Sequence, residues 1–307
     1  MAAPDRGPDN TVRVGAALEG GSHATRVVAG IDLTPIGRRV AERGRVLAEQ
    51  HQLGLHLVTV SETAPEVMLD EGLYRLLYEQ HRRHLEQVAA WCRERTSLPV
   101  THEVIKGSIG WELVKLAKTA AIVVVGTSSV DVERCGPIAR RVAIMSTGDV
   151  LVVRRQPRAA YRKVMAATDF SALSSHAVEG ALRWCPEAEV TAVFALPSRF
   201  DSALTEAGLF DVELTASSRT RLARATEKME EFAAQWPGRV KPLIVEGPPH
   251  TAIDEVVRRR GVDLVVVANR GAGATKMVLL GTVADGVLET MPCDVLVARV
   301  PGDFRRP

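Results

Sequence analysis

Short β-branched runs alternate along this chain with longer stretches in which apolar residues recur at every third or fourth position. Apolar runs bounded by Gly, Asp or Arg read as strands buried on both faces, and the 3.6-period stretches between them read as the helices that cover those faces. In the first half the predicted strands are Arg26 to Ile31, Gly54 to Val60, Pro99 to Ile105, Ala121 to Val125 and Val150 to Val153. In the second half they are Lys163 to Ala167, Glu189 to Ala195, Val240 to Val245, Asp263 to Val267 and Val295 to Ala298. The same order of elements occurs twice. The pattern therefore predicts an α/β fold of two tandem doubly wound domains, each a five-stranded parallel sheet with helices on both faces.

The helical stretches carry apolar stripes. Leu222, Ala225, Met229, Phe232 and Trp236 lie at three- and four-residue steps before Pro237-Gly238, and Leu77, Leu85, Val88 and Cys92 precede Leu98-Pro99. Both stripes are expected to face the core. Landmarks pair between the halves: Asp32 with Asp169, Gly107 with Gly247, Gly126 with Ala268, Gly136 with Gly281, and Asp149 with Asp294. The polar stretch opened by Arg154-Arg155-Gln156-Pro157 breaks the strand pattern and places the boundary. The predicted organisation is a first domain over 26–155, a linker over 156–160 and a second domain over 161–300, with flexible tails at 1–25 and 301–307.

A length of 307 residues suits two domains of about 150 residues each. The 39 Lys and Arg residues nearly balance 37 Asp and Glu, so no overall field draws the chain to nucleic acid or to anionic lipid. Every apolar run is too short to span a bilayer, and residues 1–25 lack the apolar core of a signal peptide. Cys92, Cys135, Cys185 and Cys293 are scattered with no Cys-x-x-Cys pair. They read as small buried hydrophobes of a reducing compartment, and the expected location is cytoplasmic.

Doubly wound sheets bind ligands at the carboxyl ends of their strands, where the strand order reverses. The loops after the first and fourth strands are therefore the candidate sites. In the second half the first strand leads into Ala167-Thr168-Asp169-Phe170-Ser171, with Ser171 as a helix N-cap. After the fourth come Ala268-Asn269-Arg270-Gly271, nine further residues, and Gly281-Thr282 opening the last helix. Glycine there permits close approach of an anion, and the free N–H groups of the helix start, with the Thr282 hydroxyl, can hold phosphate oxygens. The first half keeps Asp32 and Gly126, but Ser129 replaces the second glycine, the following loop has six residues, and Pro137 follows Gly136. Proline brings neither an N–H nor a hydroxyl to a phosphate, so this pocket is expected to be degenerate.

These residues resemble the universal stress protein family over nearly the whole chain, from Arg26 to Val300, twice over. Its nucleotide-binding members carry Gly-x-x-Gly, nine residues, then Gly-Ser or Gly-Thr, with an Asp after the first strand. Glu246-Gly247-Pro248 and Pro292-Cys293-Asp294-Val295-Leu296-Val297 fit the family pattern as well. The resemblance implies a nucleotide-binding α-hydrolase-like fold that holds ATP, with Mg²⁺, in the second domain. Asp169 would lie near ribose and adenine, Gly271, Gly281 and Thr282 would surround the phosphates, and Ala167, Ala195, Val267 and Ala268 would complete the site. Ala268 departs from the pattern, standing where the nucleotide-binding members have their first glycine.

Three look-alike motifs have simpler explanations. Gly271-Ala272-Gly273 lacks the third glycine of a dinucleotide fingerprint and the Gly-Lys-Ser/Thr of a P-loop. His81 and His84 have a metal-compatible spacing, but their charged neighbours predict a solvated helix face. Arg258-Arg259-Arg260 before Gly261 suits a helix carboxyl end.

Three functions are open to the sequence. The first is an ATP-binding stress or signalling protein whose occupancy alters its choice of an unknown protein partner. The second is a tandem scaffold that binds no nucleotide, supported by Ala268 and the altered first half. The third is an enzyme, against which stands the lack of any evident nucleophile paired with a base, leaving at most slow, incidental ATP hydrolysis. The halves are expected to pair about an internal pseudo-twofold, as an intramolecular pseudo-dimer, and association of two chains into a homodimer stays open.

Overall fold

The computed structural model describes residues 26–62, 71–127, 134–157, 159–197, 212–269 and 280–299. The first half runs β1 (Arg26–Gly30), α1 (Pro35–His51), β2 (Gly54–Glu62), α2 (Glu71–Arg93), β3 (Val100–Gly107), α3 (Ile109–Leu116), β4 (Ile122–Gly126), α4 (Pro137–Met145) and β5 (Asp149–Val153). The second runs β6 (Lys163–Ala167), α5 (Ala172–Trp184), β7 (Glu189–Leu196), α6 (Val212–Ala233), β8 (Val240–Glu246), α7 (Pro249–Arg260), β9 (Leu264–Asn269), α8 (Thr282–Thr290) and β10 (Asp294–Arg299).

Alternation along the strands sends neighbouring side chains to opposite cores. Val27 and Ala29 of β1 belong to a core that runs on to residues of α1, α2, α5 and α6, while Val28 belongs to the core of the other face, which includes residues of α3, α4, α7 and α8. Helix ends follow local chemistry. Thr34 caps α1 by accepting from the Ile36 N–H, Ser171 caps α5 by accepting from Ser174, and Gly261 ends α7 in the left-handed conformation after three arginines. Gly107 and Gly247 occupy matching bends after β3 and β8 at φ 152° and 125°, where a side chain would be strained.

The strand order is β3-β2-β1-β4-β5-β10-β9-β6-β7-β8 in one ten-stranded sheet. All pairs within each half are parallel, and only β5 with β10 is antiparallel, in the register Val152 to Val295, Leu151 to Leu296 and Val150 to Val297. Leu151 and Leu296 are equivalent positions of the repeat, so a pseudo-twofold axis passes between them. Each half hides the strand edge of the other.

Charged groups fasten this seam in matched pairs. Asp149, buried at the start of β5, accepts from the Arg299 N–H at 2.8 Å, from Trp184 Nε1 at 2.6 Å and from Arg183 at 2.8 Å. Its counterpart Asp294 accepts from the Arg154 and Arg155 N–H groups at 2.8 and 3.0 Å and from the Tyr161 hydroxyl at 2.6 Å, with Arg43 3.4 Å away. The Arg154 guanidinium donates to the Leu288 carbonyl at the end of α8, and the Arg299 guanidinium donates to that of Ala143 at the end of α4. Each half thus sends a cation to the negative end of a helix in the other.

Two sequence expectations are corrected. Arg154, placed in a polar stretch between the halves, is only 6% exposed because α8 carbonyls replace its hydration. Leu77 and Leu222, placed in inward stripes, are 36% and 38% exposed, whereas Leu85, Val88, Ala225, Met229 and Phe232 are buried. The helices outrun the sheet: the 23 residues of α2 span about 35 Å and the 8 of β3 about 26 Å.

Candidate functional site

The strand order reverses beside β1 and β4 in the first half and beside β6 and β9 in the second, which sets the loops after these strands side by side. In the first half the convergence is visible as a cavity of about 360 Å³. Asp32, Gly126, Gly136 and Pro137 line it together. The loops after the first and fourth strands and the start of the last helix therefore do meet at one place.

Asp32 stands just beyond β1. Its Oδ1 accepts from the Thr34 N–H at 3.0 Å, the Thr34 hydroxyl at 2.7 Å and the Gly37 N–H at 3.0 Å, so this oxygen holds the start of α1. Gly126 is enforced by packing, since a Cβ there would come within 2.3 Å of Ile36 Cγ2. Gly136 is the N-cap of α4 in extended conformation, and Pro137 follows as the first helical residue.

The second half repeats the arrangement with different groups. Ala167 is the last residue of β6, half-buried. Asp169 is exposed two residues further on, with Oδ1 accepting from the Ser171 N–H at 3.0 Å. Burial tends to raise its pKa, but hydrogen bonds from Ser171 and Ser174 outweigh this and hold the carboxyl below its ordinary value, ionised at neutral pH. Ala195 lies in β7, two residues beyond the partner of Ala167, and so stands level with Asp169. In β9 Val267 is buried, while Ala268 faces the opposite side, half-buried. Gly281 is the exposed N-cap of α8 and Thr282 its exposed first residue. Among the described residues a Cβ at Gly281 would meet nothing within 4 Å. Gly271, like Ser129 of the first half, lies outside the described residues.

The Universal stress protein family profile matches residues 23–154 and again residues 160–299. The chain belongs to the universal stress protein family. Universal stress protein MJ0531 of Methanocaldococcus jannaschii is 27% identical over 143 residues, covering 46% of this chain and 84% of its own. Universal stress protein MJ0577 of the same organism is 27% identical over 158 residues, covering 45% and 95%. A universal stress protein structure from Archaeoglobus fulgidus covers 90% of this chain and 98% of its own at TM-score 0.66 and 18% identity, and so supports the fold.

Two residues of this universal stress protein's first-half cavity escaped the sequence reading. His81, expected on a solvated face, is half-buried and lines the cavity with Nδ1 lacking a hydrogen-bond partner. Thr127 lines it too, 7% exposed, with an unpartnered hydroxyl. Its position immediately after Gly126, at the end of a predicted strand, is the signal that could have found it. The four cysteines are buried and unpaired, and burial pushes each thiol up to about 12, which leaves them unreactive. Among the described residues no group of three or more His, Cys, Asp or Glu could hold a metal, and no helix is long and apolar enough to cross a membrane.

Proposed function

We propose that this universal stress protein binds one adenine nucleotide, ATP, per chain in its second half, and that occupancy alters its contacts with a protein partner in a cytoplasmic stress or signalling response. The start of α8 carries the reading. No described residue comes within 4 Å of where a Gly281 Cβ would stand, Thr282 offers an N–H and a hydroxyl, and the first-turn N–H groups carry the positive end of the helix dipole. Asp169, ionised and exposed at the neighbouring strand end, is suited to accept from sugar hydroxyls. Ala167, Ala195, Val267, Ala268 and Gly271 would complete the pocket. Mg²⁺ would accompany the triphosphate, bound chiefly by phosphate oxygens and water. The protein binds rather than catalyses, with at most slow hydrolysis.

Titration calorimetry of the full chain with Mg–ATP is expected to give one site. Two equivalent sites, or none, would overturn the reading, and none would favour a scaffold in which the Ala268 methyl crowds out the nucleotide.

A further inference from the structure

We infer that the first-half cavity is a separate binding site for an uncharged, mainly apolar small molecule carrying a hydroxyl or amide, and that it rejects phosphorylated ligands. At about 360 Å³ it falls within the size range of small-molecule sites. Ile36, Val40, Ile109, Leu113 and Ile138 make its walls aliphatic. Into this lining the fold places two polar atoms that the protein itself does not satisfy, Thr127 Oγ1 and His81 Nδ1. An unpartnered buried hydroxyl is costly, and a ligand hydroxyl or amide would relieve it.

Charge decides the ligand class. Among the described residues no Lys or Arg lines the cavity, and Asp32 contributes a carboxylate. Burial first, and then the neighbouring His84, hold the His81 imidazole below its ordinary pKa, so the ring is neutral at pH 7. Pro137 removes the N–H that would otherwise meet an anion at the first position of α4. A phosphate entering here would face a carboxylate with no cation and a depleted helix start. A neutral hydroxylated ligand would meet apolar walls, a free hydroxyl and an imidazole nitrogen.

The test uses the full chain labelled at Ile, Leu and Val methyl groups and titrated with matched neutral and phosphorylated probes: benzyl alcohol and benzyl phosphate, hexanol and hexyl phosphate, adenosine and AMP. The neutral member of at least one pair is expected to shift the methyl signals of Ile36, Leu113 and Ile138 saturably, with its phosphate at least about tenfold weaker. Thr127→Val, nearly isosteric, should weaken the neutral probe about two- to tenfold while leaving the remaining methyl spectrum in place. Pro137→Thr should narrow the gap between alcohol and phosphate. The proposal is overturned if no neutral probe moves these signals at about 10 mM, if phosphates bind as well as their alcohols, or if Thr127→Val changes nothing. It stands apart from the nucleotide reading, because Thr282→Pro in the second half should leave these shifts untouched.

Discussion

The last helix of each half begins at a glycine held in extended conformation, Gly136 before α4 and Gly281 before α8, with backbone angles within about 10° of one another. One residue later the halves diverge. Pro137 gives α4 a preset backbone with no donor, while Thr282 gives α8 a donor and an exposed hydroxyl-bearing side chain. Proline and threonine are equally acceptable to the helix at this position, so the fold is indifferent to a change that matters to an anion. A duplicated domain can therefore lose a phosphate site in one copy with its architecture intact and its cavity still open. At the seam the reverse holds: Asp149 and Asp294, and Arg154 and Arg299, have kept their types because each satisfies backbone groups of the other half.

The largest expected effect tests the seam. Asp294→Ala would strand the Tyr161 hydroxyl, Arg43 and two backbone N–H groups in a site 1% exposed, and should cost about 3–5 kcal/mol. Asp149→Ala should cost less, about 2–3 kcal/mol, because one of its partners, Arg183, is 42% exposed and can rehydrate. Urea unfolding monitored by circular dichroism measures both, as a single transition if the shared sheet makes the halves one cooperative unit. Equal losses, or a smaller loss for Asp294→Ala, would break the ranking.

Next in size is the exchange of helix starts. Thr282→Pro copies the first half into the second and should weaken Mg–ATP about 10- to 100-fold, the worth of one charge-assisted hydrogen bond, with little change in thermal stability. Pro137→Thr should create at most a second site weaker by about tenfold or more, since Ser129 and the six-residue loop still differ. Heat unfolding gives an independent readout. ATP at about a hundred times its Kd adds about 2.7 kcal/mol to the folded state, a rise of about 5 °C for a chain of this size, and Thr282→Pro should remove from about half to most of it at the same ATP concentration.

The fold was legible because a parallel sheet buried on both faces prints itself as β-branched runs, and all ten were found to within a residue or two at each end. The repeat offset exposed the paired aspartates and glycines. What the sequence hid was anything set by a distant partner. Arg154 reads as a polar linker residue until α8 places its terminal carbonyls around it, and Arg299 carries no signal apart from that seam. His81 looks solvated among charged helix neighbours because its cavity is made by other elements, α3, α4 and the loop after β1. Leu77 and Leu222 have the period of a core face, but periodicity does not say where the sheet beneath them stops.

The smallest effect concerns a position where the two halves have acquired opposite charges. Arg140 and Asp285 are equivalent residues of the repeat, and across the pseudo-twofold they meet, with Arg140 Nη2 and Nε 2.8 and 3.2 Å from Asp285 Oδ1. In a symmetric pair of identical domains this position would face its own copy, and either residue would then repel itself. Both side chains are substantially exposed, 47% and 39%, so their attraction is worth about 0.2–1 kcal/mol. Arg140→Asp sets two carboxylates together and Asp285→Arg sets two guanidinium groups together, and each should destabilise by up to about 1 kcal/mol at low salt. Each residue lies at the fourth position of its helix, so the favourable move of an acid to the start of α4 offsets the unfavourable move of a base to the start of α8. The double exchange should therefore return to within about 0.5 kcal/mol of the natural chain, and the coupling should fade as salt is raised towards about 1 M. A double variant as unstable as either single would show that this contact does not discriminate between partners, leaving the buried Asp–Arg pairs to hold the halves together without regard to charge at the rim.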